Sequence, residues 1–261
     1  MEHIVINNNV PLLIVPLMYR EVVKERPSTY VYEAVLRRIE EERAGIDAFL
    51  AEIRPFCYHD KFKRIPDTPG APGEPFLKNM WFEGGDARAA YGIPAAKRPK
   101  RIIEIGSGNS TMFIRRAIRD FSLATQLTSI DPAPRAEIDR LCNTVVRQSV
   151  LDVDLKVFRQ LEAGDILFHD GSHLTFNGTD TVRLFLEILP ILQPGVMIHL
   201  HDICLPGEYV EGYDRRGYSE QYMLAAALLF SRQFEILLPV GYLGRQNLFD
   251  GGVSFWMRKK S

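Results

Sequence analysis

Long hydrophobic runs are missing from this 261-residue chain. The longest, Val10 to Tyr19, has about half the residues a bilayer span needs, and Pro11 and Pro16 interrupt it, which excludes a membrane helix. Met1-Glu2-His3 offers no positively charged start ahead of it, so a secretory signal is not expected either. Charge of one sign is also lacking: 32 Lys and Arg stand against 33 Asp and Glu, a net charge of −1. Without a basic stripe the chain lacks the electrostatic footprint of a nucleic-acid binder, and Lys97-Arg98-Pro99-Lys100-Arg101 is a short cluster leading straight into an apolar strand. Cysteine is scarce and odd in number. Cys57, Cys142 and Cys204 form no CxxC pair, so neither a disulfide framework nor a zinc knuckle is supported, and reduced thiols in the cytoplasm are expected. No internal repeat or low-complexity tract is present.

What is there reads as two parts. Val31, Val35, Ile39, Ile46, Phe49, Leu50 and Ile53 recur at helical spacing, which predicts a helix over Thr29 to Ile53 with Glu40, Glu41, Glu42 and Arg43 on a solvated face. Residues 54–75 carry seven Pro and Gly, too dense in breakers for a regular element. The expected division is a helical N-terminal appendage with its linker over 1–78 and a main domain over 79–261. Trp81 and Phe82, before Gly84-Gly85, are expected to pack where the chain re-enters order. From Lys100 onward, short apolar runs alternate with helical stretches. Arg101–Ile105, Leu127–Ile130, Asn143–Arg147, Ile166–His169 and Val196–Leu200 are expected strands; Thr111–Asp120, Arg135–Cys142, Leu155–Leu161, Asp180–Leu192 and Ser219–Arg232 are expected helices. This alternation predicts an α/β fold, a doubly wound, mostly parallel sheet with helices on both faces. Phe234–Leu238 and Val253–Met257 are joined by a Gly-rich stretch with no room for a crossover helix, so they are expected to close the sheet as an antiparallel pair, seven strands in all.

Two constellations carry chemistry. In Glu104-Ile105-Gly106-Ser107-Gly108-Asn109-Ser110-Thr111, glycines at 106 and 108 let a ligand approach bare backbone at a helix N-terminus. Thr111 stands where a dinucleotide fingerprint wants a third glycine, which weakens a pyrophosphate reading. Asp131, at the end of the second strand of that domain, is placed to accept hydrogen bonds from both hydroxyls of a ribose. The second constellation is histidine. Four of six, His169, His173, His199 and His201, fall at the expected C-terminal ends of two strands beside Asp170 and Asp202. Ligands of such sheets bind outside those ends, so Asp170, His173, His201 and Asp202 are expected to converge. Strand alternation puts His199 and His201 on one face and Asp202 on the other, so His199 is expected to face the core or to support the site from behind. Imidazole and carboxylate together could take a proton from an acceptor hydroxyl or hold a divalent metal that lowers its pKa.

These segments, with Phe168-His169-Asp170-Gly171-Ser172-His173, Gly195 to Ile203 and Ser219-Glu220-Gln221-Tyr222, resemble the bacterial class I S-adenosylmethionine-dependent methyltransferases. Within them the chain looks like a small-molecule methyltransferase group found with polysaccharide and natural-product pathways. The likeness runs over residues 79–240 in motif order. It implies the class I version of the sheet, S-adenosylmethionine as cofactor, and a methionine end held by Glu104 and the Gly106-Ser107-Gly108 backbone. It further implies Asp131 on the ribose, the segment around Asp152 on the adenine, and Asp170 at the edge of the cofactor site. The acceptor is expected to be a hydroxyl of a small molecule or sugar, with no nucleic acid or membrane partner and a homo-oligomer left open. His173 is the first candidate base, with His201 and Asp202 behind it. Asp170, His201 and Asp202 are candidate metal ligands. Ile203 departs from the Asn or Asp that follows the second carboxylate in magnesium-binding relatives, and a His201 ligand would point to a transition metal. A nicotinamide-dependent oxidoreductase is the alternative that Thr111 and the antiparallel tail disfavour; a metal-dependent hydrolase would use the His/Asp edge alone. Tyr209, Tyr213 and Tyr218, interleaved with Gly207, Gly212 and Gly217, are expected to cover the acceptor as a lid.

Overall fold

The computed structural model describes residues 3–6, 10–13, 26–134, 136–213 and 216–260. Strands β1 (His3–Ile6) and β2 (Val10–Leu13) pair antiparallel as a separate two-stranded sheet. The apolar run therefore begins as a strand, and its remainder, 14–19, lies outside the described residues. No described helix is long and apolar enough to cross a membrane.

The single helix expected over Thr29 to Ile53 is two, α1 (Glu33–Glu40) and α2 (Arg43–Cys57). Tertiary bonds gather at the break. Glu42 accepts from Arg38 at 2.7 Å and from the backbone N–H of Ile236, while buried Arg38 donates to the carbonyls of Leu228 and Phe234. The acidic face is thus partly an anchor rather than solvated throughout. The breaker-rich stretch also holds more order than expected. Helix α2 runs on to Cys57, α3 (Asp60–Lys63) follows, and Phe62 and Ile65 are buried before the remaining prolines begin. These residues, with Val35, Ile39 and Ile53, belong to the same hydrophobic cluster as the sheet.

Helix α4 (Gly84–Lys97) is built of small residues so that other backbone can lie against it. A Cβ at Gly92 would meet the Cys57 sulfur at 2.3 Å, and one at Gly85 the Asp250 carbonyl oxygen at 2.2 Å. Asp86, buried in the first turn of α4, accepts from the backbone N–H groups of Val253 at 3.0 Å and Ser254 at 2.8 Å. Asp86→Ala leaves those donors buried and unpaired, and is expected to cost roughly 3 kcal/mol in a urea titration; an unchanged midpoint would mean that water replaces the carboxylate.

The main sheet follows: β3 (Arg101–Ile105), α5 (Asn109–Asp120), β4 (Gln126–Ile130), β5 (Thr144–Val146), β6 (Ile166–His169), α6 (Asp180–Arg183), a π-helical turn at Leu184–Ile188, α7 (Leu189–Ile191), β7 (Met197–Leu200), α8 (Glu220–Phe230), β8 (Phe234–Pro239), α9 (Val240–Arg245) and β9 (Phe255–Lys259). The strand order is β5-β4-β3-β6-β7-β9-β8, parallel through β7 and antiparallel on both sides of β9. The expected class of sheet is therefore observed. Two expected crossover helices are not. Among described residues the Arg135–Cys142 stretch holds one 3-10 turn, Asp139–Leu141, and Leu155–Gln160 is likewise 3-10. Arg147 draws that first stretch together, donating to the Asp131 carbonyl and pairing with the Asp139 carboxylate. The Gly-rich stretch before β9 contains the short α9, which turns the chain without making a crossover.

Order along the sheet places the site. The chain runs outward from β3 through β4 to β5, then returns to the other side of β3 with β6. A crevice opens beyond the C-terminal ends of strands at such a reversal.

Candidate active site

One cleft of about 810 Å³ lies in that crevice, within the size range of small-molecule sites. Its walls include Gly106 to Ser110, Asp131, Val150, Leu151, Asp170 to Leu174, His201, Asp202, Tyr213 and Tyr218.

At one end is the loop between β3 and α5. Gly106 has φ +75, and a Cβ there would stand 1.8 Å from the Asp170 carbonyl oxygen, so only glycine fits where the end of β6 crosses. Gly108 differs: nothing lies within 4 Å of its Cβ position, which opens on the cleft. Asp131 is tied to this loop, accepting from Ser107 N at 2.8 Å and from Ala133 N at 2.8 Å. Thr111 has a local reason to replace the third glycine. Its hydroxyl accepts from Gly108 N at 3.0 Å and donates to Glu104 at 2.6 Å.

Glu104 does not reach the cleft wall. It is fully buried, accepts from the hydroxyls of Ser110 and Thr111, and is pushed up to about 8 by burial, with those hydroxyl bonds working against the rise. Its position supports the loop from beneath, a correction to the expected contact with the methionine end. Asp152 is also off the cleft. The segment reaches it through Ser149, Val150 and Leu151, while Asp152 ends a 3-10 turn facing solvent.

At the other end the acids and histidines converge. His173 is buried, with φ +60, and its carbonyl accepts from Ser219 N at 2.8 Å and Glu220 N at 3.1 Å at the start of α8. Its Nδ1 lies 2.9 Å from Glu220 Oε2, and its Nε2 lies 3.2 Å from Asp170 Oδ1 and 3.4 Å from Asp202 Oδ2. Asp202 is in the left-handed region too, φ +53, and accepts from the Tyr213 hydroxyl at 2.8 Å. Left-handed backbone at non-glycine residues costs about 1–3 kcal/mol and persists where surrounding bonds over-determine it. Burial works against charge on His173, but Asp170 and Glu220 outweigh it and hold the imidazole well above its usual range. Asp170 lies well below its own: burial opposes ionisation, and His201 and His173 overcome it. An imidazole nitrogen facing two carboxylates carries a proton or a cation, so His173 is not a free base as placed, contrary to expectation.

Asp170, His173 and Asp202 each present a ligand atom within 4.8 Å of the others, a set that could hold a metal ion. His201 is not in it. Its ring centroid is 5.0 Å from that of Phe82, its Nε2 is 3.8 Å from Asp202 Oδ1, and its Nδ1 is 3.5 Å from the Ser254 hydroxyl, so it backs Asp202 from the core side. The metal candidate thus exchanges His201 for His173. His199 is a core residue as expected, stacked 3.6 Å from Phe168 with its Nε2 on Ser254.

Phe82 packs as expected, but Trp81 is 57% exposed and lines the cleft mouth beside Met80. Of the three lid tyrosines, Tyr213 and Tyr218 line the cleft and stack at 5.3 Å, with Tyr218 4.6 Å from the His173 ring. Tyr209 is instead buried, accepting from Gln221 N at 3.1 Å, and is a packing residue. Residues 214–215 of that loop lie outside the described residues. Three cluster members went unassigned in the sequence: His169, Asp180 and Glu220. The usable signal for Glu220 was its place as the sole charge of a mostly apolar helix, Glu220 to Phe230.

Residues 103–203, from within β3 to the turn after β7, match the model of a family described as a methyltransferase domain. That stretch holds the glycine loop, Asp131 and the Asp170, His173 and Asp202 cluster. Over that stretch the chain is similar to a methyltransferase domain, and its sheet has five parallel strands closed by an antiparallel pair. A search of curated proteins gives no match. Among solved structures the chain is similar to the SAH-bound methyltransferase PaMTH1 of Podospora anserina, at 14% identity over 95% of this chain and 100% of that one, TM-score 0.45. It is also similar to cofactor-bound Rv0187 from MTB, at 13% identity over 85% and 89%, TM-score 0.40. A third is a SAM-dependent methyltransferase from Archaeoglobus fulgidus, at 15% identity over 67% and 92%, TM-score 0.36. Likeness at this level carries no function from those proteins to this one.

Proposed function

We propose that this protein uses S-adenosylmethionine to methylate a hydroxyl of a small molecule or sugar. The observation that carries the reading is the single cleft joining the Gly106–Gly108 loop and Asp131 at one end to the Asp170, His173 and Asp202 cluster at the other. In this reading the loop backbone and Ser107 hold the methionine end, Asp131 accepts from the ribose hydroxyls, and Val150 and Leu151 face the adenine. In this reading residues 79–261 form the catalytic domain and 1–78 an appendage, of which Val35, Ile39, Ile53 and Phe62 share its core. Its thiols, free at Cys57, Cys142 and Cys204, suit the cytoplasm.

The donor, once bound, supplies a methyl group already activated on sulfonium, so the protein's task is alignment and proton removal. Tyr213 and Tyr218 wall the acceptor side, and Asp202 accepts the hydroxyl proton. Tyr213 and His201 hold Asp202 from either side. Asp170, Asp180, Asp202 and Glu220 outnumber His169, His173 and His201, so the cluster keeps net negative charge even with all three rings protonated. That favours cations in the cleft.

The donor set at Asp170, His173 and Asp202 fits a divalent ion, because His173 Nε2 and two carboxylate oxygens already point at one another. One nitrogen with two oxygens suits manganese, iron or zinc better than magnesium. A metal there would lower the pKa of an acceptor hydroxyl.

Calorimetry with S-adenosylhomocysteine tests the proposal. Micromolar binding is expected, weakened about tenfold by Asp131→Ala as two charge-assisted hydrogen bonds disappear. Binding of NADH in its place would turn the reading to an oxidoreductase, and binding of Mn²⁺ without any nucleoside to a hydrolase.

A further inference from the structure

The most deeply buried charges of the site do not touch the cleft. Glu220 has no accessible surface and stands between two histidines, Oε2 at 2.9 Å from His173 Nδ1 and Oε1 at 3.2 Å from His169 Nδ1. His169 is fully buried as well, and its Nε2 lies 3.5 Å from Asp180 Oδ2. Asp180 is fixed in turn, accepting from the backbone N–H of Ser172 at 2.8 Å and from its hydroxyl. Gly171 lets this row close up: a Cβ there would meet Asp180 Oδ2 at 1.9 Å and the His169 ring at 2.8 Å. The segment Asp170-Gly171-Ser172-His173 is thereby explained residue by residue, since each of its members either borders the cleft or makes room for the row behind it.

We propose that Glu220, with His169 beside it as a charge partner, is a positioning residue for methyl transfer: it fixes the proton on His173 Nδ1 and so aims His173 Nε2 at Asp170 and Asp202. The proposal rests on the reading of the cleft given above, in which His173 faces the acceptor. Three facts carry it. Glu220 offers no atom to the cleft, so it acts only through another side chain. An ionised carboxylate is acceptor-only, which obliges His173 to donate from Nδ1. The same helix start that presents Glu220 also binds the His173 carbonyl through Ser219 N and Glu220 N, so ring and backbone are clamped by one rigid element. A carboxylate behind a histidine in this way sets its tautomer and ring orientation, whether the front nitrogen serves a proton or a metal ion.

Long-range ¹H–¹⁵N NMR of the full-length protein tests it, with His173 signals assigned by their disappearance in His173→Asn. The wild type is expected to show a protonated His173 Nδ1 with a downfield proton bonded to carboxylate. In Glu220→Gln that proton is expected to move upfield or be lost by exchange, while affinity for S-adenosylhomocysteine stays at the wild-type value. Glu220→Asp, one methylene shorter and unable to span both rings, is expected to lose the signal too. A His173 Nδ1 proton unchanged in Glu220→Gln overturns the proposal. So does a wild-type spectrum with Nδ1 bare and Nε2 alone protonated, a result that stands even where both variants fail to fold. Failure of the wild type to bind S-adenosylhomocysteine would strike at the cofactor reading, and leaves this signal to be judged by itself.

Discussion

His173→Ala is expected to lower methyl transfer by about two to four orders of magnitude while leaving affinity for S-adenosylhomocysteine intact. In the proposed reading His173 is the hub of the acceptor end: its ring joins Asp170, Asp202 and Glu220, and its carbonyl caps α8. Removing the imidazole takes away the one ring that reaches all three carboxylates, so in the proposed reading acceptor alignment and proton removal suffer together. In the proposed reading the donor end rests on the Gly106–Gly108 loop and Asp131, none of which bonds to the His173 ring, and keeps its geometry. Turnover is read as S-adenosylhomocysteine released against a panel of hydroxylated acceptors, and binding by calorimetry on the same preparation. Normal turnover in His173→Ala, with Asp202→Ala inactive, would assign the chemistry to Asp202 without His173. Activity that survives exhaustive chelation would show that no exchangeable metal is needed at the cluster.

Gly106 and Gly108 are expected to part company when substituted, although the sequence presents them alike. Gly106→Ala drives a Cβ to 1.8 Å from the Asp170 carbonyl at a left-handed φ, and a loss of about 4 kcal/mol or more is expected in denaturant titration. Nothing in the fold resists a side chain at Gly108, because its Cβ position faces open cleft. Gly108→Val is therefore expected to keep the wild-type denaturation midpoint and to weaken S-adenosylhomocysteine by about a hundredfold or more, roughly 2.7 kcal/mol. Wild-type affinity in Gly108→Val would remove the cofactor from this loop.

Those two glycines show where reading the chain stops. The alternation of short apolar runs with amphipathic stretches determines an α/β sheet, since residues buried on both faces must be apolar throughout and the returning segments half-polar. The antiparallel finish follows from the short Gly-rich stretch before β9, and the strand-end positions of Asp131, Asp170, His173, His201 and Asp202 follow from register alone. Local propensity could not place what tertiary bonds override. Glu42 stands at the break in the first helix and is bound by the Ile236 N–H, a partner 194 residues away, and the stretch before Cys142 lies under Arg147, which binds the Asp131 carbonyl and Asp139. Spacing cannot tell a residue on the cleft from one beneath it, which is why Glu104 and Asp152 looked equal to Asp131. The choice of His173 over His201 was likewise a matter of three dimensions: β7 and the turn after β6 bring both rings to one edge, but only the left-handed turn at His173 carries its Nε2 between two carboxylates. Glu220 stands 47 residues along the chain from His173, and only the seating of the start of α8 on the turn after β6 makes them partners, because a buried charge is stable only where the fold delivers its counter-charges.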